Sequence, residues 1–206
     1  MENTATVSRE RAYPYVLTRK FQIFAKTESE PYSQVTADVT FVPPASKTFR
    51  IVDHSGSSRG EGIVRRLLET ESKAASSGDG EVTRDNYDFV LLGETLLNGK
   101  QCYLLGLKAK RADRRLVNGQ VWIDAETYVI RRVEGEMAEL PSWWLRSVNV
   151  VISFASVGGM WMQTATTAVA EVRILGKRTF TSRVVGMRMG SALSSEVPDN
   201  APRLAE

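Results

Sequence analysis

The sequence predicts a mainly β fold: one curved antiparallel sheet forming an unclosed half-barrel with a helical lid. Three observations predict it. Apolar residues recur at every second position along most of the chain. The segments that do so are joined by short connections rich in turn-forming residues. One segment, 60–75, carries its apolar residues at helical spacing instead.

The alternating segments lie near 15–25, 31–42, 47–53, 87–92, 101–109, 119–124, 128–136, 145–155, 160–171 and 178–189. Successive side chains of a strand point to opposite faces, so alternation marks one face for burial. In QVTADVTF, Val35, Ala37, Val39 and Phe41 share one face, against Gln34, Thr36, Asp38 and Thr40. In SVNVVISF, Val148, Val150, Ile152 and Phe154 oppose Ser147, Asn149 and Ser153, with Val151 an apolar exception. The stretch NGQVWIDAETYVIRRVEGE, 118–136, reads as two strands around the turn Asp124-Ala125-Glu126-Thr127. The connections ESEP, VPPASK, LNGK, VNGQ, SVGG and LGKR are short, and Asn-Gly at 98–99 and 118–119 is a hairpin signal. Turns of this length join antiparallel neighbours, because parallel pairs need long crossovers. The segments therefore form a meander.

In GEGIVRRLLETESKAA, Ile63, Val64, Leu67 and Leu68 fall on one helical face, and Arg65, Arg66, Glu69 and Glu71 take the remainder. Ser57 or Ser58 can cap this helix and Gly78 can end it. A helix of this length is marginal alone in water, so it must lay its apolar stripe on the sheet. The stretch SSGDGEVTRDN that follows reads as a flexible loop. Residues 1–190 make a single domain, and 191–206 lack periodicity and read as a flexible tail.

A sheet of about ten strands twists and curls, turning its apolar faces inward. A closed barrel leaves no place for a helix except as plug or lid, whereas an open half-barrel accepts one. The concave face then offers more apolar area than one short helix covers. Either long side chains fill the difference and make an ordinary core, or a cavity remains for an apolar guest.

Composition narrows the chemistry. The balance of 27 Lys+Arg against 24 Asp+Glu is too even to argue for nucleic acid. The single cysteine, Cys102, sits in an apolar run and reads as buried; the single histidine, His54, reads as a loop residue. No paired-cysteine, HExxH, GxSxG or phosphate-loop pattern occurs, so no cofactor, metal or catalytic residue is expected. No run of eighteen apolar residues exists, and the first residues carry no hydrophobic signal core.

Three ordered pieces, YDFVLLGETLLNGKQCYLLGLKAKRAD, NGQVWIDAETYVIRRVEGEMAELPSWWLRSV and GGMWMQTATTAVAEVRILGKRTFTSRV, resemble bacterial proteins of the outer-membrane lipoprotein-sorting class, the LolA-like relatives of the lipoprotein carrier. The resemblance runs from about Tyr87 to Val185, and the helix EGIVRRLLETE sits where such proteins carry one before that sheet. It implies an unclosed half-barrel with a helical lid over an apolar cavity. It also implies a periplasmic location, with a leader peptide removed, and binding of lipid acyl chains or lipidated proteins. The same half-barrel resembles the ligand-sensing half of periplasmic stress regulators, which implies as the alternative a sensor domain binding a membrane-anchored protein partner.

On this reading the cavity is lined by Ile63, Leu67 and Leu68 of the helix and by Val35, Val39, Phe41, Phe89, Val148, Ile152 and Phe154 of the sheet; each serves equally as ordinary core. Trp143 and Trp144 are adjacent, so in a strand one faces outward, marking a partner surface, a membrane interface or a solvated edge. The basic run LKAKRADRR, 107–115, is either a solvated hairpin tip or a contact for phospholipid head groups or nucleic acid. Gly158-Gly159 reads as a turn.

Overall fold

The computed structural model describes residues 13–25, 29–74 and 80–189; the expected helix stop Gly78 and the 191–206 tail lie outside the described residues. In chain order the elements are β1 (Tyr15–Phe24), β2 (Ser33–Val42), β3 (Ser46–Gly56), α1 (Ser58–Ala74), β4 (Tyr87–Leu97), β5 (Lys100–Ala109), β6 (Val117–Asp124), β7 (Ile130–Met137), β8 (Leu145–Val157), β9 (Met160–Val172) and β10 (Gly176–Met189). All ten strands form one sheet in the order β3-β2-β1-β10-β9-β8-β7-β6-β5-β4. Every pairing is antiparallel. Strands β3 and β4 are the two edges and do not pair with each other, so the sheet is unclosed, and α1 lies in the connection between them.

The strands follow the period-two segments, and three of the differences bear on the reading. Strand β3 runs on to Gly56 and takes in His54, expected in a loop. Strand β4 continues to Leu97, past the expected stop at 92, because the chain bulges between Leu91 and Gly93 and then resumes pairing. Strand β7 starts at Ile130, two residues late, because Tyr128 takes a positive φ of 58° to complete the preceding turn.

Helix α1 begins where Ser57 accepts a hydrogen bond from the Arg59 amide through Oγ, at 3.3 Å, capping an otherwise unpaired donor. Its buried row is Gly60, Val64 and Leu68, one residue per turn, lying on β2 and β3. At Gly60 the helix lies directly against the sheet: a Cβ there would stand 2.0 Å from Ser33 Oγ. Ile63, expected on the inward stripe, is instead exposed. Adjacent helical residues are about 100° apart, so a row centred on Val64 leaves Ile63 at its flank.

Among the described residues the core has three clusters. Under α1 lie Phe21, Val35, Ala37, Val39, Val64 and Leu68. Across β4–β7 lie Tyr87, Leu107, Leu116, Val117, Val121, Ile123 and Val133. At one end of β8 and β9 lie Leu145, Val148 and Val172. The described part of the expected flexible loop, 80–86, is tied down. Val82 packs on the second cluster, and buried Asn86 donates to the Glu81 carbonyl at 2.8 Å and accepts from Arg111 at 2.7 Å. The Tyr87 hydroxyl anchors the other side by accepting from the Val117 amide at 3.1 Å.

Candidate functional site: an open apolar trough

Register determines what the concave face presents. One row crosses the sheet as Val35, Phe21, Ser182, Thr166, Ile152, Val133, Val121, Leu105 and Leu91. The adjacent row runs Ser33, Ile23, Phe180, Ala168, Val150, Gly135, Gly119, Leu107 and Phe89. Both rows are buried towards β1–β2, under α1; the first is buried again at Val133 and Val121, and the second at Leu107 of β5. Between these covered zones, Phe180, Thr166, Ala168, Val150 and Ile152 are only half-buried.

The central strand shows this most clearly. β9 is hydrogen-bonded on both edges, yet no residue from Met160 to Glu171 is buried. Its concave face is built from small side chains, Thr166, Ala168 and Ala170, flanked by Phe180 on β10 and by Val150, Ile152 and Phe154 on β8. The result is a trough with a low floor, apolar on the β8 side and at Phe180, with Ser182 beside Thr166 and Arg178 beside Ala170 on the β10 side. It is open because α1 packs on β2 and β3, towards one edge of the sheet, rather than over its centre. The enclosed cavity expected beneath a lid is thus an open strip beside it.

A polar tether holds α1 along the trough. Arg19, on the concave face of β1, donates to Glu71 of α1 at 2.6 Å and to Ser182 of β10 at 2.9 Å. Lys47 of β3 donates to the same carboxylate at 2.7 Å. Burial works to raise the Glu71 pKa, but the charges of Arg19 and Lys47 and their hydrogen bonds outweigh it and hold the carboxyl below its ordinary value. The Arg19 guanidinium also lies 4.9 Å over the Phe21 ring.

The VWID stretch has a local structural role. One oxygen of buried Asp124 accepts from the Glu126 and Thr127 amides and the Thr127 hydroxyl, and the other accepts from Arg131. The Thr127 amide and the Arg131 side chain are the largest causes holding this carboxyl well below the usual range. Asp124 therefore organises the turn between β6 and β7. Cys102 is buried, and burial pushes its thiol pKa up, which disfavours the reactive thiolate.

The residues singled out from the sequence divide by place. Ile152 and Phe154 reach the trough wall. Val35, Val39 and Leu68 are packed in the cluster under α1, with Leu67 half-buried beside them. Phe41 stacks on Tyr15 at 5.2 Å, Phe89 packs beside Tyr87 at 6.2 Å, and Val148 is buried with Leu145 and Val172. Ile63 is exposed on the helix flank. Sequence reasoning did not single out Val150, Phe180, the small residues of β9 or Arg19. The run TATTAVA, 164–170, is the signal for the floor, because a strand of small side chains cannot fill the space above it. Trp143 and Trp144 are both exposed, since they lie in the connection before β8 and escape strand alternation.

Two further hollows are bordered by charged side chains. One, about 90 Å³, is bordered by Asn98, Arg131, Arg132 and Phe154. The other, an open cleft of about 540 Å³, separates the end of α1 at Thr70 and Lys73 from Arg114, Arg115 and Glu139. Among the described residues, no helix is long and apolar enough to cross a membrane.

No protein family and no curated protein matches the chain. Solved structures are similar to it at low identity. A DUF1329 family protein from Desulfovibrio piger is 14% identical with a TM-score of 0.46, over 93% of this chain and 91% of that one. A domain described as an outer membrane lipoprotein-sorting protein from Vibrio parahaemolyticus is 11% identical with a TM-score of 0.49, over 94% and 92%. A LolA superfamily protein from Nitrosomonas europaea is 10% identical with a TM-score of 0.41, over 92% and 93%.

Proposed function

We propose that this chain is a non-catalytic binding protein for acyl chains, carried on lipids or on lipidated proteins, and that it works in the periplasm in outer-membrane lipoprotein sorting or transport. The observation that carries this reading is the uncovered strip over β8–β10, where Phe180, Val150 and Ile152 flank a floor of Thr166, Ala168 and Ala170. An acyl chain suits such a strip because it needs no hydrogen-bond partner and contributes roughly 0.8 kcal/mol for each methylene it buries. The resemblance of residues 87–185 to lipoprotein-sorting proteins supports the periplasmic setting. The test is lipid extraction and native mass spectrometry of the purified chain, with titration of a fluorescent fatty acid. Bound lipid or saturable probe uptake is expected; absence of both refutes the reading.

A second reading, a sensor domain that binds a membrane-anchored protein, is favoured by one observation. Edge strand β4 exposes Val90, Leu91, Leu92 and Leu96. An unpaired apolar edge is a template for an added strand. Replacing Leu92 and Leu96 with Lys should abolish capture of such a partner while leaving fatty-acid uptake unchanged.

A further inference from the structure

The rim of the sheet that carries the connections before β8 and β10 has a surface the trough does not use. Trp143 is 83% exposed, Ile174 92%, Leu175 61% and Trp144 43%. They belong to two different connections that are joined as one unit: the Arg173 amide donates to the Trp144 carbonyl at 2.9 Å, and Arg173 Nε donates to the Trp143 carbonyl at 2.8 Å. Below the tips, Leu145 pairs with Val172 across the two strands and both are buried. Large apolar side chains are thus held out into solvent by a fixed base.

The charges around the tips are of one main sign. Arg146, Arg173 and Lys177 are exposed and Arg178 is half-buried, against exposed Glu171 and half-buried Glu139. The basic 107–115 run joins the same rim through the Arg114–Glu139 ion pair at 3.3 Å. Apolar tips ringed by cations match the two layers of an anionic bilayer surface. Tryptophan settles at the boundary between chains and head groups, and arginine and lysine meet the lipid phosphates. The tips project from loops.

We propose that this rim docks the protein on an anionic lipid bilayer, with Trp143, Trp144, Ile174 and Leu175 entering the interface and Arg146, Arg173 and Lys177 at the head groups. The full chain is mixed with vesicles of phosphatidylcholine alone, or with about a quarter phosphatidylglycerol. Binding is followed by co-sedimentation and by quenching of tryptophan fluorescence with lipids brominated in the acyl chain. The expected result is preference for the anionic vesicles with strong quenching. In Trp143→Ser/Ile174→Ser, affinity should fall tenfold or more with the melting curve unchanged. In Arg146→Gln/Lys177→Gln it should fall about thirtyfold at low salt, the effect of two juxtamembrane cations, and much less at high salt. Absence of vesicle binding, binding without quenching, or equal binding by the tryptophan–isoleucine variant overturns the proposal. So does loss of fatty-acid uptake together with vesicle binding in that variant, because the defect then belongs to the trough.

Discussion

Filling the trough floor separates a ligand site from an unused surface. Ala168 is the substitution of choice, since it lies at the centre of the strip between Phe180 and Val150, on a strand whose residues up to Glu171 are all at least partly exposed. An indole there occupies the open space rather than displacing core. If Ala168→Trp keeps a ligand from roughly 100 Å² of floor, about half an indole's surface, then at about 25 cal/mol per Å² the loss is ~2.5 kcal/mol. That corresponds to about seventyfold in Kd. The assay is titration of a fluorescent fatty acid into wild type and variant, with thermal melts confirming that both fold alike. If the variant takes up the probe with wild-type affinity, acyl chains do not lie over β9 and the reasoning from the exposed strip fails.

Other predictions test the scaffold. Leu68→Ala, removing a fully buried side chain between α1 and the sheet, should cost about 2–5 kcal/mol, read from the urea midpoint. Gly119→Ala should destabilise by about 1–3 kcal/mol, because a Cβ would stand 2.0 Å from the Glu134 carbonyl oxygen and 2.5 Å from Gly135 Cα, backbone that cannot swing aside; an unchanged urea midpoint would contradict that geometry. The tether carries a pH signature. The Glu71 carboxyl is held below its ordinary 4.5, so its contribution to stability is complete above that value and is lost as the pH falls through the lower folded-state value. Glu71→Gln should therefore be less stable than wild type at neutral pH, with the gap between their urea midpoints narrowing below about pH 4.5; a gap that stays constant on acidification would rule the tether out as its source.

Much of the architecture is legible because period-two alternation is a local property. Val35, Ala37 and Val39 are buried as the pattern requires, and Cys102 is buried as its apolar setting predicts. Short turns then force antiparallel neighbours, and one amphipathic stretch has only the sheet to pack on. The trough was less legible. Alternation tells which side chains face inward, as with Ile152 and Phe154, but not which of them another element covers. Val35 and Ile152 stand in one register row, yet one is sealed under α1 and the other is half-buried.

By itself the sequence determined the strands, the antiparallel pairing of those joined by short turns and the inward face, since each depends on spacing between near neighbours. Tertiary structure alone decided that β1 pairs with β10, that α1 rests over β2 and β3, and that Arg19 meets Glu71 across 52 positions. It also joined Trp143 to Arg173 on one rim. These are contacts between residues far apart in the chain. Their partners are chosen by how the curled sheet brings distant strands together, and no local pattern encodes that choice.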